Sequence, residues 1–151
     1  MWRLLPITMT QFTVAVYLYP GADILDFTGP TEIYSSGPFD GDGPFKITSF
    51  AHHNPVKTKS GAMTYVPNGT FHELRSRLED FDVLVIPGAL FHTIEELIGS
   101  EEGKELLALL RAFAASKPRK ETGKRVLHSV CTGSVLLAAS GILAGTYDPC
   151  T

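Results

Sequence analysis

Residues 125–139 read RVLHSVCTGSVLLAA, and this stretch decides both the fold and the candidate site. Its first half is short, apolar and rich in β-branched residues, which is typical of a buried strand. Its second half is small and apolar and predicts a buried helix. Cys131 lies at the junction, on a sharp strand-to-helix turn with the geometry of a nucleophile elbow. A helix N-terminus favours an anion, so the turn favours thiolate over thiol and makes Cys131 the candidate nucleophile rather than an inert buried cysteine.

Outward from this stretch, apolar strands alternate with helices along the chain. The patterns predict strands over 12–19, 45–51 and 82–86, a hairpin over 56–60 and 62–66, and helices over 71–78, 95–98 and 101–116. A loop is expected over 23–30, with Pro30 opening a short helix over 31–35. The tripeptide at 68–70 is interpreted as a turn. Alternating, continuously apolar strands predict an α/β fold whose parallel sheet is covered on both faces.

Composition excludes several classes of function. The chain has 151 residues and a formal net charge of −3, so it has no general basic surface for nucleic acid or anionic membranes. No apolar run approaches the length of a membrane span. Two cysteines do not form a disulfide framework, and we expect a reducing, cytoplasmic location. Metal-binding and nucleotide-binding motifs are absent from the sequence, which predicts no metal and no cofactor.

A thiolate needs groups that handle protons and donors that stabilise developing charge. In a parallel sheet these groups lie at the carboxyl ends of the strands. Asp26 and Glu32 follow the first strand, and Gly88 and Ala89 follow the strand over 82–86 and could supply oxyanion donors. Thr132 could donate a hydroxyl hydrogen bond. The alternatives remain open: Asp26 as a loop cap, Glu32 as a helix-dipole partner, and Thr132 bonded to a local carbonyl.

The histidines give weaker signals than these residues. His92 follows Gly88 and could reach the site, but a surface position is the favoured interpretation. His128 lies within a strand and is interpreted as a core or second-face residue. His52 and His53 lack the spacing of metal ligands.

Taken together, five segments resemble the ThiJ/PfpI superfamily, which has a class I glutamine-amidotransferase-like fold. They occur in the superfamily's order and span most of residues 12–145: VYLYPG at 16–21, LDFTGPTE at 25–32, DVLVIPG at 82–88, SVCTG at 129–133 and LLAASGILAG at 136–145. The resemblance implies a flavodoxin-like three-layer αβα sandwich with a mainly parallel sheet and a nucleophile elbow. The position after Cys131 is Thr132, where protease- and glyoxalase-like branches usually have histidine. This threonine makes the chain most similar to isonitrile hydratases.

The resemblance also implies an activity and a set of site residues. In the hydratases, the residues matching Cys131, Asp26 and Thr132 are catalytic, and Glu32 matches the family acid beside the sulfur. Gly88, Ala89 and Gly29 are assigned to the substrate and oxyanion site. The implied reaction hydrates a small isonitrile to an N-substituted formamide without a cofactor. The expected partner is a small-molecule substrate, and a homodimer is possible in this family.

Three segments and three alternatives complete these expectations. Residues 1–11 are interpreted as an N-terminal extension, 12–145 as the ThiJ/PfpI-like domain, and 146–151 as a divergent tail. Because the superfamily continues beyond the position of Gly145, we expect a C-terminally truncated member with an exposed sheet edge. The alternatives are a non-enzymatic small-molecule sensor of the AraC-regulator type, another family activity such as methylglyoxal hydration, and an inactive truncated chain.

Overall fold

A computed structural model describes residues 10–37 and 43–145 of the chain. The elements in chain order are β1 (Phe12–Leu18), α1 (Ile24–Ser35), β2 (Phe45–Ala51), β3 (Val56–Lys57), β4 (Thr64–Tyr65), β5 (Gly69–Thr70), α2 (Phe71–Ser76), a 3₁₀ turn (Leu78–Asp80), β6 (Val83–Ile86), α3 (Phe91–Gly99), α4 (Glu101–Ala115), β7 (Val126–Ser129) and α5 (Gly133–Ala139). The N-terminal extension up to residue 9 and the tail over 146–151 lie outside the described residues.

A five-stranded sheet in the order β5-β2-β1-β6-β7 forms the centre of the fold. All four neighbouring strand pairs within it are parallel. Strand β6, which lies between β1 and β7, is buried along its whole length, as its continuous apolar sequence predicts. The predicted α/β fold with a mainly parallel sheet is therefore confirmed. β3 and β4 form a separate antiparallel hairpin, shorter than the one predicted.

Alternate side chains of β1 face the two helical layers. Val16 and Leu18 face α1, whereas Tyr17 packs against Phe71 of α2 on the opposite face. Helices α3, α4 and α5 contact one another. Both faces of the sheet are covered by helices, and the carboxyl ends of its strands meet along one edge.

The amino ends of the strands are joined by a buried carboxylate. Asp82 is fully buried and accepts hydrogen bonds from Thr13 N–H at 2.8 Å and from the Thr122 hydroxyl. It also pairs with Arg119 at 2.9 Å. Burial alone would raise the pKa of Asp82, but the hydrogen bonds from Thr122 and Thr13 and the charge of Arg119 hold it below its ordinary value. The network links β1, β6 and the segment that precedes β7.

The predicted loop over residues 23–30 is wrong, because α1 begins at Ile24 and continues through Pro30 to Ser35. Proline removes one backbone donor, and the helix tolerates that loss because its first turn is held from outside. The backbone N–H of Asp23 donates to the carbonyl of Gly88, and the carboxylate of Asp26 accepts from Gly88 N–H. These tertiary contacts therefore outweigh the tendency of Pro30 to begin a new helix rather than lie inside one.

Two further boundaries differ from the sequence prediction. Residues 69–70, interpreted as part of a turn, form the short edge strand β5, which pairs with the end of β2. Helix α3 begins at Phe91 rather than at Glu95, so the apolar residues after Ala89 are helical. Among the residues that the structure describes, no helix is long and apolar enough to cross a membrane.

Candidate active site

The candidate site is centred on the turn between β7 and α5. Cys131 is exposed and has a φ of 52°, in the left-handed region that residues other than glycine rarely adopt. Val130 N–H donates to the carbonyl of Ile86 at 3.0 Å, which keeps the turn against the end of β6. A Cβ atom on Gly133 would lie 2.4 Å from the Ile86 oxygen, so only glycine fits there. These features give the strand-to-helix turn the strained geometry of a nucleophile elbow.

Thr132 locks this turn to the neighbouring strand end. Its hydroxyl donates to the carbonyl of Ala89 at 2.6 Å and accepts from the N–H of Ala89 at 2.9 Å. Because a hydroxyl has one proton, Thr132 has none left to donate to a substrate in this arrangement. Thr132 therefore fixes the position of Cys131 relative to the end of β6.

Asp26 reaches the same strand end from α1. Its Oδ2 atom accepts a hydrogen bond from Gly88 N–H at 3.0 Å. A Cβ atom on Gly88 would lie 2.7 Å from both Asp26 Oδ2 and Thr132 Oγ1, so glycine allows the three groups to meet. The structure thus brings together Cys131, Thr132, Asp26, Gly88 and Ala89.

The segment Pro87–Ala89, which we call the Pro87–Ala89 turn, is held at almost every polar backbone atom. Besides the bonds from Asp26 and Thr132, the Gly88 carbonyl accepts from Asp23 N–H at 2.9 Å, and the Pro87 carbonyl accepts from the Tyr19 hydroxyl at 2.9 Å. The N–H groups assigned as oxyanion donors are therefore already engaged. The N–H groups of Cys131 and Thr132 donate no hydrogen bond within residues 10–37 and 43–145. These two groups are therefore free to serve as oxyanion donors in place of the N–H groups of Gly88 and Ala89.

Tyr19 is a site residue that the sequence analysis missed. It is buried, and burial together with the negative charges of Asp23, Asp26 and Cys131 raises its pKa well above the ordinary value. The phenol therefore stays protonated and continues to donate to the Pro87 carbonyl. The alternation of Tyr17 and Tyr19 at the end of β1 was the available signal, but it indicates only that both face the same side.

Glu32 and Gly29 are not joined to the elbow by any hydrogen bond among the described residues. Glu32 follows Asp26 by six residues, which places it about 9 Å along α1 and about 120° around the helix. It lines a different pocket, with Val16 and Tyr65. A Cβ atom on Gly29 would contact only Leu25 of its own helix, at 3.9 Å. Neither residue hydrogen-bonds to the Cys131 thiol.

The structure also places the two histidines that were weighed as candidate site or core residues. His92 is exposed in the first turn of α3, and the His128 ring is hydrogen-bonded to the hydroxyl of Tyr34 at 3.1 Å. The part of the chain that the structure describes contains no cluster of three or more metal-ligating side chains. Cys150 lies outside the described residues.

Comparison with known proteins identifies the family. No family model matches the chain. A Streptomyces lividans protein, described as an uncharacterised protein in the cpoL 5′ region, is 35% identical over 133 residues, covering 87% of this chain and 82% of that protein. The two proteins belong to one family. The crystal structure of a ThiJ/PfpI family protein from Pseudomonas syringae superposes with a TM-score of 0.70 and 28% identity over 91% of this chain. The chain shares the fold of the ThiJ/PfpI superfamily.

Other ThiJ/PfpI relationships concern the fold alone. An AraC family transcriptional regulator from Pseudomonas putida superposes with a TM-score of 0.62 and 20% identity, over 87% of this chain and 62% of that one. The chain spans about half of the Pseudomonas syringae protein, since the match covers 49% of its length. The resemblance to the ThiJ/PfpI superfamily inferred from the sequence is supported by these structural neighbours, which share the fold.

Proposed function

We propose that this ThiJ/PfpI protein hydrates a small isonitrile to the corresponding N-substituted formamide, with Cys131 as nucleophile. The observation that carries the proposal is the convergence of an exposed, strained Cys131 with the Asp26 carboxylate at the Pro87–Ala89 turn. A nucleophile, a carboxylate and unpaired backbone N–H groups are the parts that covalent catalysis requires.

The first step forms a covalent adduct. The Cys131 sulfur attacks the terminal carbon of the isonitrile, a carbon–sulfur bond forms, and that carbon takes up a proton. The product is a thioimidate, S–CH=N–R, and its mass exceeds that of the free enzyme by one isonitrile. Thr132 contributes by holding the elbow against Ala89, which fixes the position of Cys131 at the end of β6.

The second step hydrolyses the adduct. The carboxylate of Asp26 accepts a proton from water as the water oxygen bonds to the thioimidate carbon, and the nitrogen is protonated. The tetrahedral intermediate then loses Cys131 as thiolate with the electrons of the carbon–sulfur bond, and loss of the hydroxyl proton yields the formamide. The N–H groups of Cys131 and Thr132 would stabilise negative charge that develops near the sulfur.

Two exposed apolar side chains favour an apolar substituent on the substrate. Leu90 and Phe91 directly follow Ala89 and are 53% and 59% exposed. Large apolar side chains exposed directly after the Pro87–Ala89 turn are available to contact a hydrocarbon group. We therefore propose an alkyl or aryl isonitrile rather than a charged one.

The test is formamide formation from cyclohexyl isonitrile by the full chain, followed by chromatography. Wild type and Cys150→Ala should form the formamide, whereas Cys131→Ala should form none; Cys150→Ala is the matched control for removal of a thiol. In Asp26→Asn the second step is slowed, so intact mass should increase by one isonitrile, on the peptide containing Cys131. Formamide produced equally by Cys131→Ala, or no product from folded wild-type protein, would refute the proposal.

A second candidate is stoichiometric binding of a small molecule without turnover. It is favoured by the engagement of the Gly88 and Ala89 N–H groups, which removes two donors from catalysis. The shared fold with an AraC family regulator is compatible with it. Saturable binding of the isonitrile with neither adduct nor formamide would favour this function over the first.

A further inference from the structure

A second pocket lies on the face of the sheet that α1 covers. Its volume is about 290 Å³, it is open to solvent on one side, and it is lined by α1, by β1 and β2, and by β4 with the residue after it. Most of its surface is apolar, and its polar residues are one carboxylate and several hydroxyls. The lining residues that the argument uses are Phe27, Thr28, Thr31, Glu32, Ser49 and Tyr65.

Every hydroxyl proton of the described residues that line this pocket is already donated within the protein. Each hydroxyl has a single proton and two lone pairs, so a hydroxyl that has donated still accepts. The bonds are Thr28 to the Ile24 carbonyl at 2.7 Å, Thr31 to the Phe27 carbonyl at 2.6 Å, Ser49 to Asn68 Oδ1 at 2.8 Å, and Tyr65 to Met63 Sδ at 3.0 Å. The hydroxyls therefore offer a ligand acceptors and no donors.

The charge of the pocket has one sign. Among the residues that the structure describes, Glu32 is the single ionisable carboxylate that lines it, and no lysine, arginine or histidine does. Within the described ranges, the Glu32 carboxylate makes no hydrogen bond or ion pair. A ligand that complements this pocket carries donors and a positive charge.

Two aromatic rings complete the pocket. Phe27 and Tyr65 pack edge to face, with ring centroids 4.6 Å apart. Their faces and edges provide an apolar surface for a hydrocarbon body and attract a nearby cation.

We propose that this pocket binds a small organic ammonium ion with an apolar body, with Glu32 as its counter-ion. The N–H groups of the ammonium donate to Glu32 and to the hydroxyl oxygens of Thr28 and Thr31, and the hydrocarbon part packs on Phe27 and Tyr65. The site is separate from Cys131, because Glu32 lies about 120° around α1 from Asp26. Its occupancy does not depend on the proposed hydratase activity.

The test is a titration of the ¹⁵N-labelled full chain with benzylammonium, followed by amide chemical shifts without any isonitrile. Shifts should saturate for residues of α1 and β4, and the affinity should fall as salt is raised, because an exposed charge is screened. Benzyl alcohol and benzoate, which keep the ring but lack the positive charge, should bind at least about fivefold more weakly, since a charge-assisted hydrogen bond is lost.

Matched variants assign the binding to this pocket. Glu32→Gln should weaken benzylammonium binding by about fivefold to tenfold, and Tyr65→Leu should weaken it as well. Glu96→Gln removes an exposed carboxylate on α3 and should leave binding unchanged. Absence of saturable shifts, unchanged affinity in Glu32→Gln, or equal binding of benzyl alcohol would each overturn the proposal.

Discussion

At the scale of single residues, the conformation of Cys131 has an energetic cost. Its φ of 52° is unfavourable for any residue with a Cβ atom, by about 1–2 kcal/mol in the left-handed region. A nucleophile held in that conformation indicates a geometry that the surrounding hydrogen bonds impose.

This strain predicts an unusual order of stabilities at position 131. Cys131→Gly should have a free energy of unfolding about 1 kcal/mol higher than Cys131→Ala, because glycine adopts the conformation without a steric penalty. Urea denaturation of the two variants measures the difference. At Ala138, an exposed position in α5, glycine should instead be less stable than alanine by about 0.5–1 kcal/mol. A Cys131→Gly variant less stable than Cys131→Ala would argue against a strained turn.

The two hydrogen bonds between the Thr132 hydroxyl and the backbone of Ala89 give a second prediction. Thr132→Val removes the hydroxyl and leaves the N–H and carbonyl of buried Ala89 without their partner, so the free energy of unfolding should fall by about 1–3 kcal/mol. Thr132→Ser keeps the hydroxyl and should recover most of that loss. Chemical denaturation of the three proteins is the measurement, and equal losses in the valine and serine variants would show that the hydroxyl contributes nothing.

The candidate site could be predicted in part from these residues. Cys131 and its turn followed from a local pattern of strand, small residues and helix. Glu32 was assigned through the resemblance, and the structure places it in another pocket. Tyr19 was missed because its hydroxyl contacts Pro87, 68 residues away, and no local pattern records such a contact.

At the scale of elements, the sequence predicted where helices and strands occur better than how closely they approach. Periodicity identified α4, but not the close packing of its first turn on the end of α3. A Cβ atom on Gly103 would lie 1.7 Å from the carbonyl oxygen of Leu97. Helix α1 shows the same limit, since contacts from Gly88 decide where it begins.

Two glycines at this helix junction should respond in opposite ways to alanine. Alanine is normally favoured over glycine within a helix by about 1 kcal/mol, but Gly103→Ala should destabilise the protein by about 1–3 kcal/mol or more through the clash with Leu97. Gly99→Ala meets no atom within 4 Å and should be neutral or stabilising by about 0.4–1 kcal/mol. Thermal unfolding of both variants tests this; a stabilised Gly103→Ala would disprove the close approach.

At the scale of the whole molecule, the sheet carries polar networks at both ends of its strands. Asp82 joins β1, β6 and the segment before β7 at the amino ends, and the Pro87–Ala89 turn joins α1, β6 and the elbow at the carboxyl ends. The sequence predicted the class of fold from alternating strands and helices. It indicated only that Asp82 begins a strand, and not that Asp82 forms a buried network with Thr13, Thr122 and Arg119.

The Asp82 network should make stability depend on acid. Because its pKa is lowered by folding, its contribution is fully present above the unfolded value of about 4 and is lost as the pH falls through the lower folded value. Asp82→Asn should lower the free energy of unfolding by about 3 kcal/mol at neutral pH, and the difference from wild type should shrink below about pH 4. Urea titrations across this range measure it.

Asp80→Asn is the control for this pH dependence. Within the described part of the chain, the exposed Asp80 carboxylate pairs only with Arg77, three residues earlier, so its removal should cost less than about 1 kcal/mol. A pH-independent difference between Asp82→Asn and wild type would contradict the assignment.

Strand β6 is therefore fixed at both ends as well as buried between two neighbours. Its amides have no partial opening available that leaves the rest of the molecule intact, because releasing β6 requires breaking the Asp82 network or the Pro87–Ala89 turn. In a hydrogen–deuterium exchange experiment, the amides of Val83–Ile86 should exchange only through global unfolding. The exchange rates of these four amides would then report the free energy of global unfolding. Amides around Cys131 that exchange faster than these would reveal local opening of the candidate site.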